Sequence, residues 1–240
     1  MREQVKGKDT NTGMKTTKRK ILGPTDQHVQ EHLHGLLRLA QEKGASDAKV
    51  IESKDILVDP RVRFKCMIPK CFASGTCRHC PPHGYSIEEI RKAVSGYDYA
   101  VFFRVVVDST LIAGPEVAAG MNTGVLDDAG SLLNLGAHYI LVFQIVAFLE
   151  RKARSLGYTP RGFAAGTCRD ALCHFQPYCQ ALMTDKGCRH PDISRPSMES
   201  CGMDVYAMAA NVGWDMYPIG GTCGPEDVPK GSLMGLVLVA

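Results

Sequence analysis

Eight of the ten cysteines of this 240-residue chain are confined to two short runs. In the first, CMIPKCFASGTCRHC, Cys66, Cys71, Cys77 and Cys80 stand close together; in the second stand Cys168, Cys173, Cys179 and Cys188. Both runs open with the spacing C-x4-C-x5-C, then close with x2-C in the first and x8-C in the second. Core packing gives no reason to put four thiols on one short loop. Soft metals and iron–sulfur clusters do, because both are held by grouped thiolates. These eight cysteines are therefore the candidate metal- and cofactor-binding residues, and the rest of the chain must fold so as to present them.

The spacing bears on what is held. A structural zinc site draws its tetrahedral ligands mostly from two close C-x2-C pairs. Only Cys77 and Cys80 have that form. The first run ends in Cys80-Pro81, as bacterial ferredoxin runs end in Cys-Pro, although its internal spacing is wider. A four-iron cube is larger than a zinc ion and suits wider spacing. Two [4Fe–4S] clusters are the expectation, with zinc as the alternative. Cys201 has the setting of a core thiol, and Cys223 lies in a glycine-rich turn; either can replace a member of the second set. Arg78, His79, His83, Arg169, His174, Arg189 and His190 flank the cysteines. They can tune an anionic cluster or serve as ordinary solvated charge.

Other chemistries find little support. No GxGxxG or GxxxxGK[ST] run appears, no Ser-His-Asp order stands out, and the acidic residues near the runs form no obvious acid–base pair. The net charge of +3 is too small to argue for nucleic acid. It is uneven, since residues 1–20 hold seven basic residues against two acidic ones. Residues 1–22 are expected to be a basic flexible tail, and residues 23–240 a single metal-binding domain. An anionic partner for the tail is the sharper alternative. No apolar leader opens the chain, and the run Tyr139–Leu149 is shorter than the roughly 20 residues that span a bilayer. A cytoplasmic location without a membrane span follows as an expectation, and in that compartment thiols stay reduced and favour metals over disulfides.

Periodicity supplies the frame. Val29, Leu33, Leu36, Leu37 and Ala40 mark a helix closed by Gly44. Ala48–Glu52 and Ile56–Val58 read as short strands. Ser86 with Glu89 forms a capping box before a short helix. Tyr99–Val107 is a buried strand interrupted by Arg104. Residues 109–129 suggest a glycine-rich loop, and a long apolar helix runs from about Ser131 to Leu156. Phe163–Ala165 and Leu233–Val239 are further strands. A helix capped by Ser197 is expected to run through Cys201 to Ala209. Alternating strands and helices predict an α/β fold, a small mixed sheet flanked by helices, with the two cysteine-rich loops following strand ends. His28 and His32, one turn apart, lack a third ligand nearby and read as surface histidines.

The segments CRHCPPH at Cys77–His83 and GCRHPDISRPSMESCGMDV at Gly187–Val205 resemble a cysteine-rich family of predicted metal-binding proteins. The likeness spans about Phe64 to the C-terminus. It implies a cytoplasmic metal or iron–sulfur protein, with the ligand role falling on Cys66, Cys71, Cys77, Cys80, Cys168, Cys173, Cys179 and Cys188. The resemblance implies no reaction. Three functions remain open at this point. The first is an electron carrier with two [4Fe–4S] clusters serving a redox partner protein. The second is a zinc-stapled interaction protein, and the third an iron–sulfur enzyme with an open cluster position.

Overall fold

A computed structural model describes residues 26–113, 129–217 and 224–240. The expected basic tail at residues 1–22, most of the expected loop at 109–129 and Cys223 lie outside the described residues.

The centre is a four-stranded sheet in the order β1–β2–β4–β3, with β1 at Asp47–Glu52, β2 at Tyr99–Val107, β3 at Arg161–Phe163 and β4 at Gly231–Leu238. The α/β expectation holds. All three pairings are antiparallel, where a mixed sheet was the expectation. The segment between β1 and β2 explains the first of these pairings: it acts as one long hairpin connection, setting Glu52 opposite Tyr99.

Both faces of the sheet are covered, which is why β2 and β4 read as near-continuous apolar runs. On one face Val101, Phe103, Val105 and Val237 pack against helix α1, Asp26–Glu42, and a later long helix. On the other, Ala100, Phe102, Leu236 and Leu238 pack against helix α2, Ile87–Val94, and a methionine-rich segment containing Met198, Met203 and Met208. The long helix α3 spans Ala129–Ser155 and buries Val142, Phe143, Val146 and Leu149. Its counterpart α1 buries Leu33, Leu36 and Ala40 on the stripe that the periodicity marks. Ser86 and Glu89 form the expected reciprocal cap on α2. Arg104 reaches the sheet's flank, where its guanidinium lies 4.9 Å from the Trp214 ring centre.

Three expectations are corrected. Residues 56–58 form no strand; Val58 makes one isolated bridge to Met203, because the chain turns at once into a 3-10 helix at Pro60–Cys66. The helix expected from Ser197 to Ala209 is broken. A 3-10 turn at Glu199–Cys201 ends in Gly202, whose φ of +79° cannot continue a right-handed helix. The helix resumes as α6, Val205–Asn211, capped by the Asp204 carboxylate. The second cysteine run is also more than a loop. It carries two short helices, α4 at Cys168–Cys173 and α5 at Gln180–Met183. Thr167 caps α4 by accepting from the Arg169 N–H.

Gly202 also ties the two cysteine-bearing parts together. Its carbonyl accepts the Asp59 N–H at 2.8 Å. A Cβ there would lie 2.5 Å from Ile87 Cδ1 and 3.1 Å from the Asp59 carbonyl oxygen. Gly202→Ala is expected to cost about 1–3 kcal/mol, read as a lowered urea midpoint with unchanged slope.

Candidate metal centre

The two cysteine runs, about ninety residues apart in the chain, face each other across Thr167. Its hydroxyl oxygen lies 3.7 Å from the Cys77 sulfur and 3.8 Å from that of Cys80, and Cys80 donates to it. Thr167 thus touches the first run with its side chain while its backbone leads directly into Cys168. Cys77 and Cys168 are both buried.

This proximity shows in acidity. The neighbouring sulfurs of Cys168 and Cys80 lower the Cys77 pKa against the opposing effect of burial. Cys80 and Cys168 are both raised, first by Cys77 and then by burial.

A small cavity joins Cys77 to all four cysteines of the second run, Cys168, Cys173, Cys179 and Cys188. Its enclosed volume is about 20 Å³. That is room for a water or a single ion, far less than a four-iron cube requires. The buried Ser194 hydroxyl lies on the same wall, where it opposes the rise in the Cys168 pKa. The backbone N–H of His190 donates to the Cys188 sulfur at 3.3 Å. Burial raises the Cys173 thiol, with Cys188 the next contributor.

Cys66 and Cys71 sit at the other end of the first run, where the Cys71 N–H donates to the Cys66 carbonyl at 3.2 Å. Burial raises the Cys66 thiol, with smaller contributions from Cys71 and Glu199. Cys201, on its 3-10 turn, is a core thiol pushed up to about 12 by burial; among its smaller influences are Arg63, Glu199 and Cys66.

The donor set, soft sulfurs lining one small cavity, is that of a thiophilic metal. Among the described residues, no three or more His, Cys, Asp or Glu side chains are arranged to hold a metal ion.

Two flanking arginines have a use that the sequence does not suggest. Arg169 donates to the carbonyls of Cys173 and Gln176. Arg189 donates to the Tyr178 carbonyl at 2.7 Å and covers the Tyr178 ring at 5.2 Å. Both staple the second run to itself. His32, by contrast, pairs with the Tyr158 hydroxyl at 3.0 Å. Ser194 carried no sequence signal, being one serine in an irregular segment.

The start and exit of the second run are pinned to α3. The Tyr139 ring fills the space beside Gly166, where a Cβ would meet it at 2.6 Å. About three turns further along the helix, the buried Glu150 carboxylate accepts from the Gly162 N–H at 2.7 Å and from Arg195 Nε at 2.9 Å. Arg195 also donates to the carbonyls of Pro191, Asp192 and Ser194.

Around the site the surface mixes apolar and polar side chains. A groove of about 450 Å³ is lined by Phe72, Arg169, His174, Tyr178, Cys179 and Met183. Phe175 is 90% exposed and Ile68 75% exposed on the two runs.

Residues 49–239 match the family described as predicted metal-binding protein (DUF2284), and the chain belongs to that family. The match begins within β1 and takes in both cysteine runs and the Arg195–Met203 segment. No curated protein and no solved structure matches the chain. No helix among the described residues is long and apolar enough to cross a membrane.

Proposed function

We propose that this metal-binding family member is a cytoplasmic iron–sulfur protein that carries electrons to a partner protein. In this reading Cys66, Cys71, Cys77 and Cys80 serve one [4Fe–4S] cluster, and Cys168, Cys173, Cys179 and Cys188 a second. The observation that carries it is the meeting of two four-cysteine runs in a chain whose family is described as metal-binding. A cluster of this kind supplies reversible one-electron transfer. The protein's part is to hold the thiolates, exclude water and set the surrounding charge. Residues 60–84 include Arg61, Arg63, Lys65, Lys70 and Arg78 and no acidic residue, which offsets the negative charge of a four-thiolate cluster. The exposed Phe175, Ile68 and Met183 supply apolar contact for a partner at the rim.

A second reading rests on volume. The 20 Å³ cavity has room for a single ion, whereas a cube requires the two runs to part. Zinc held by Cys77 and second-run thiols would then staple the runs for partner binding.

Protein prepared without oxygen decides between them. The expected result is a brown protein with a broad visible absorbance, iron and acid-labile sulfide in equal amounts, and an electron paramagnetic resonance signal after reduction with dithionite. Stoichiometric zinc with no visible absorbance overturns the iron–sulfur reading in favour of the second. Absence of any bound metal overturns both.

A further inference from the structure

Exposed apolar surface is concentrated on the two cysteine runs. Among the described residues eleven large apolar side chains are exposed, and seven of them fall within residues 64–72 or 175–183. Phe72 of the first run and Tyr178 and Met183 of the second line the same groove of about 450 Å³, a size that takes a small ligand or a peptide side chain. Arg169, Asp170 and His174 lie in the same lining. Large exposed apolar groups gathered at one place mark a contact surface.

Charge is divided in the same way. Residues 60–84 hold five basic residues and no acidic one, and residues 168–190 hold three basic and two acidic. Outside these stretches and the first twenty residues, the chain carries 13 basic residues against 21 acidic ones. Lys70, Arg78 and Lys186 are exposed, each within three residues of a side chain that lines the groove. Arg189 covers the ring of Tyr178. The groove is thus flanked by cations in a chain whose remaining surface-forming segments are acidic.

We propose that the groove between the two cysteine runs is the docking site for an acidic segment of a partner protein. The segment inserts one large apolar side chain beside Phe72, Tyr178 and Met183, and its carboxylates face Lys70, Arg78 and Lys186. This names the chemistry of the partner in the reading above and rests on that reading only for there being a partner; the surface does not depend on what the sulfurs hold. The apolar anchor supplies the hold, and the flanking charges supply the encounter and the choice of partner. A bilayer is the poorer occupant, because the groove is concave and hydrocarbon offers no partner to Arg169, Asp170 and His174. A peptide brings its own N–H and C=O groups.

The test measures fluorescence anisotropy of short labelled peptides with the full chain, purified without oxygen. One set has glutamates flanking a central leucine, phenylalanine or tryptophan. A second has the same glutamates around glycine, and a third has lysines around leucine. Binding of the first set, at least about tenfold tighter than the other two, is expected. The double variant Lys70→Glu with Lys186→Glu should weaken it by about tenfold, and Lys92→Glu with Lys152→Glu, the same charge change on α2 and α3, by less than about twofold. Met183→Glu, at a position 65% exposed, should abolish the preference for an apolar centre. Circular dichroism checks each fold; should Met183→Glu not fold, the charge pair and the glycine peptide decide. Equal binding of the glycine peptide overturns the proposal as charge attraction alone. No binding of the first set overturns it, as does loss of binding in both double variants alike. Sedimentation with vesicles containing phosphatidylglycerol but no binding of the first set overturns it in favour of a membrane surface. Iron, sulfide and zinc measured on the same sample decide the reading above separately, since peptide binding is scored whether or not metal is present.

Discussion

Replacing Arg195 with alanine should destabilise the protein by about 3–5 kcal/mol, the loss typical when a buried ion pair is left with one partner. Glu150 is 2% exposed, and Arg195 is its closest cation. Arg154 approaches the same carboxylate at 3.7 Å, but from an exposed position. Removing Arg195 strands the carboxylate in the core and frees three carbonyls of the 191–194 turn at once. Arg195→Lys should restore part of the loss, because an ammonium keeps the charge but cannot reach the carbonyls in the same fork. Equilibrium urea unfolding of both variants measures this. The double variant Arg195→Met with Glu150→Met should recover most of the stability, since it leaves no buried charge unpaired. If Arg195→Ala costs less than about 1 kcal/mol, the clamp is not what fixes the turn.

Phe102→Ala should cost a similar amount, about 3–5 kcal/mol, from a different source. Phe102 is fully buried at the centre of β2, on the face that carries the methionine-rich segment. Its ring lies 5.0 Å from that of Trp214, whose indole N–H donates to the Asp47 carboxylate at 2.8 Å. Truncation leaves a cavity between sheet and segment that Met198, Met203 and Met208 can only partly refill. The expected signature in thermal unfolding is a large drop in midpoint together with loss of the near-ultraviolet tryptophan band. Phe102→Leu keeps most of the volume and should cost less than half as much.

The frame was legible because its signals are local. The stripe from Val29 to Ala40, the Ser86–Glu89 cap and the β-branched run of β2 each specify their element within one window, and each element forms where expected. The break at Gly202 was missed because apolar spacing continues across it from Met198 to Met208. The turn is set instead by a hydrogen bond to Asp59, far away in sequence. The strand expected at 56–58 has the right residues but only Met203 to pair with. At the candidate site, the two cysteine runs stand out from spacing alone. Their neighbours do not. The approach of the first run to the second depends on Thr167 reaching Cys77 and Cys80, a tertiary fact with no periodic trace. The roles of Arg169 and Arg189 were hidden for the same reason: a guanidinium beside a cysteine looks alike in sequence whether it serves a cluster or a carbonyl.

The double attachment to α3 has a mechanical consequence. Tyr139 and Glu150 stand eleven positions apart on one helix, a span of roughly 16 Å along its axis. Tyr139 packs beside Gly166 at the beginning of the second cysteine segment, while Glu150 holds Gly162, just ahead of it, and Arg195, at its end. Both ends of the segment are thus moored to one carboxylate, so the distance between them is set by a single side chain of α3 and not by the intervening cysteines.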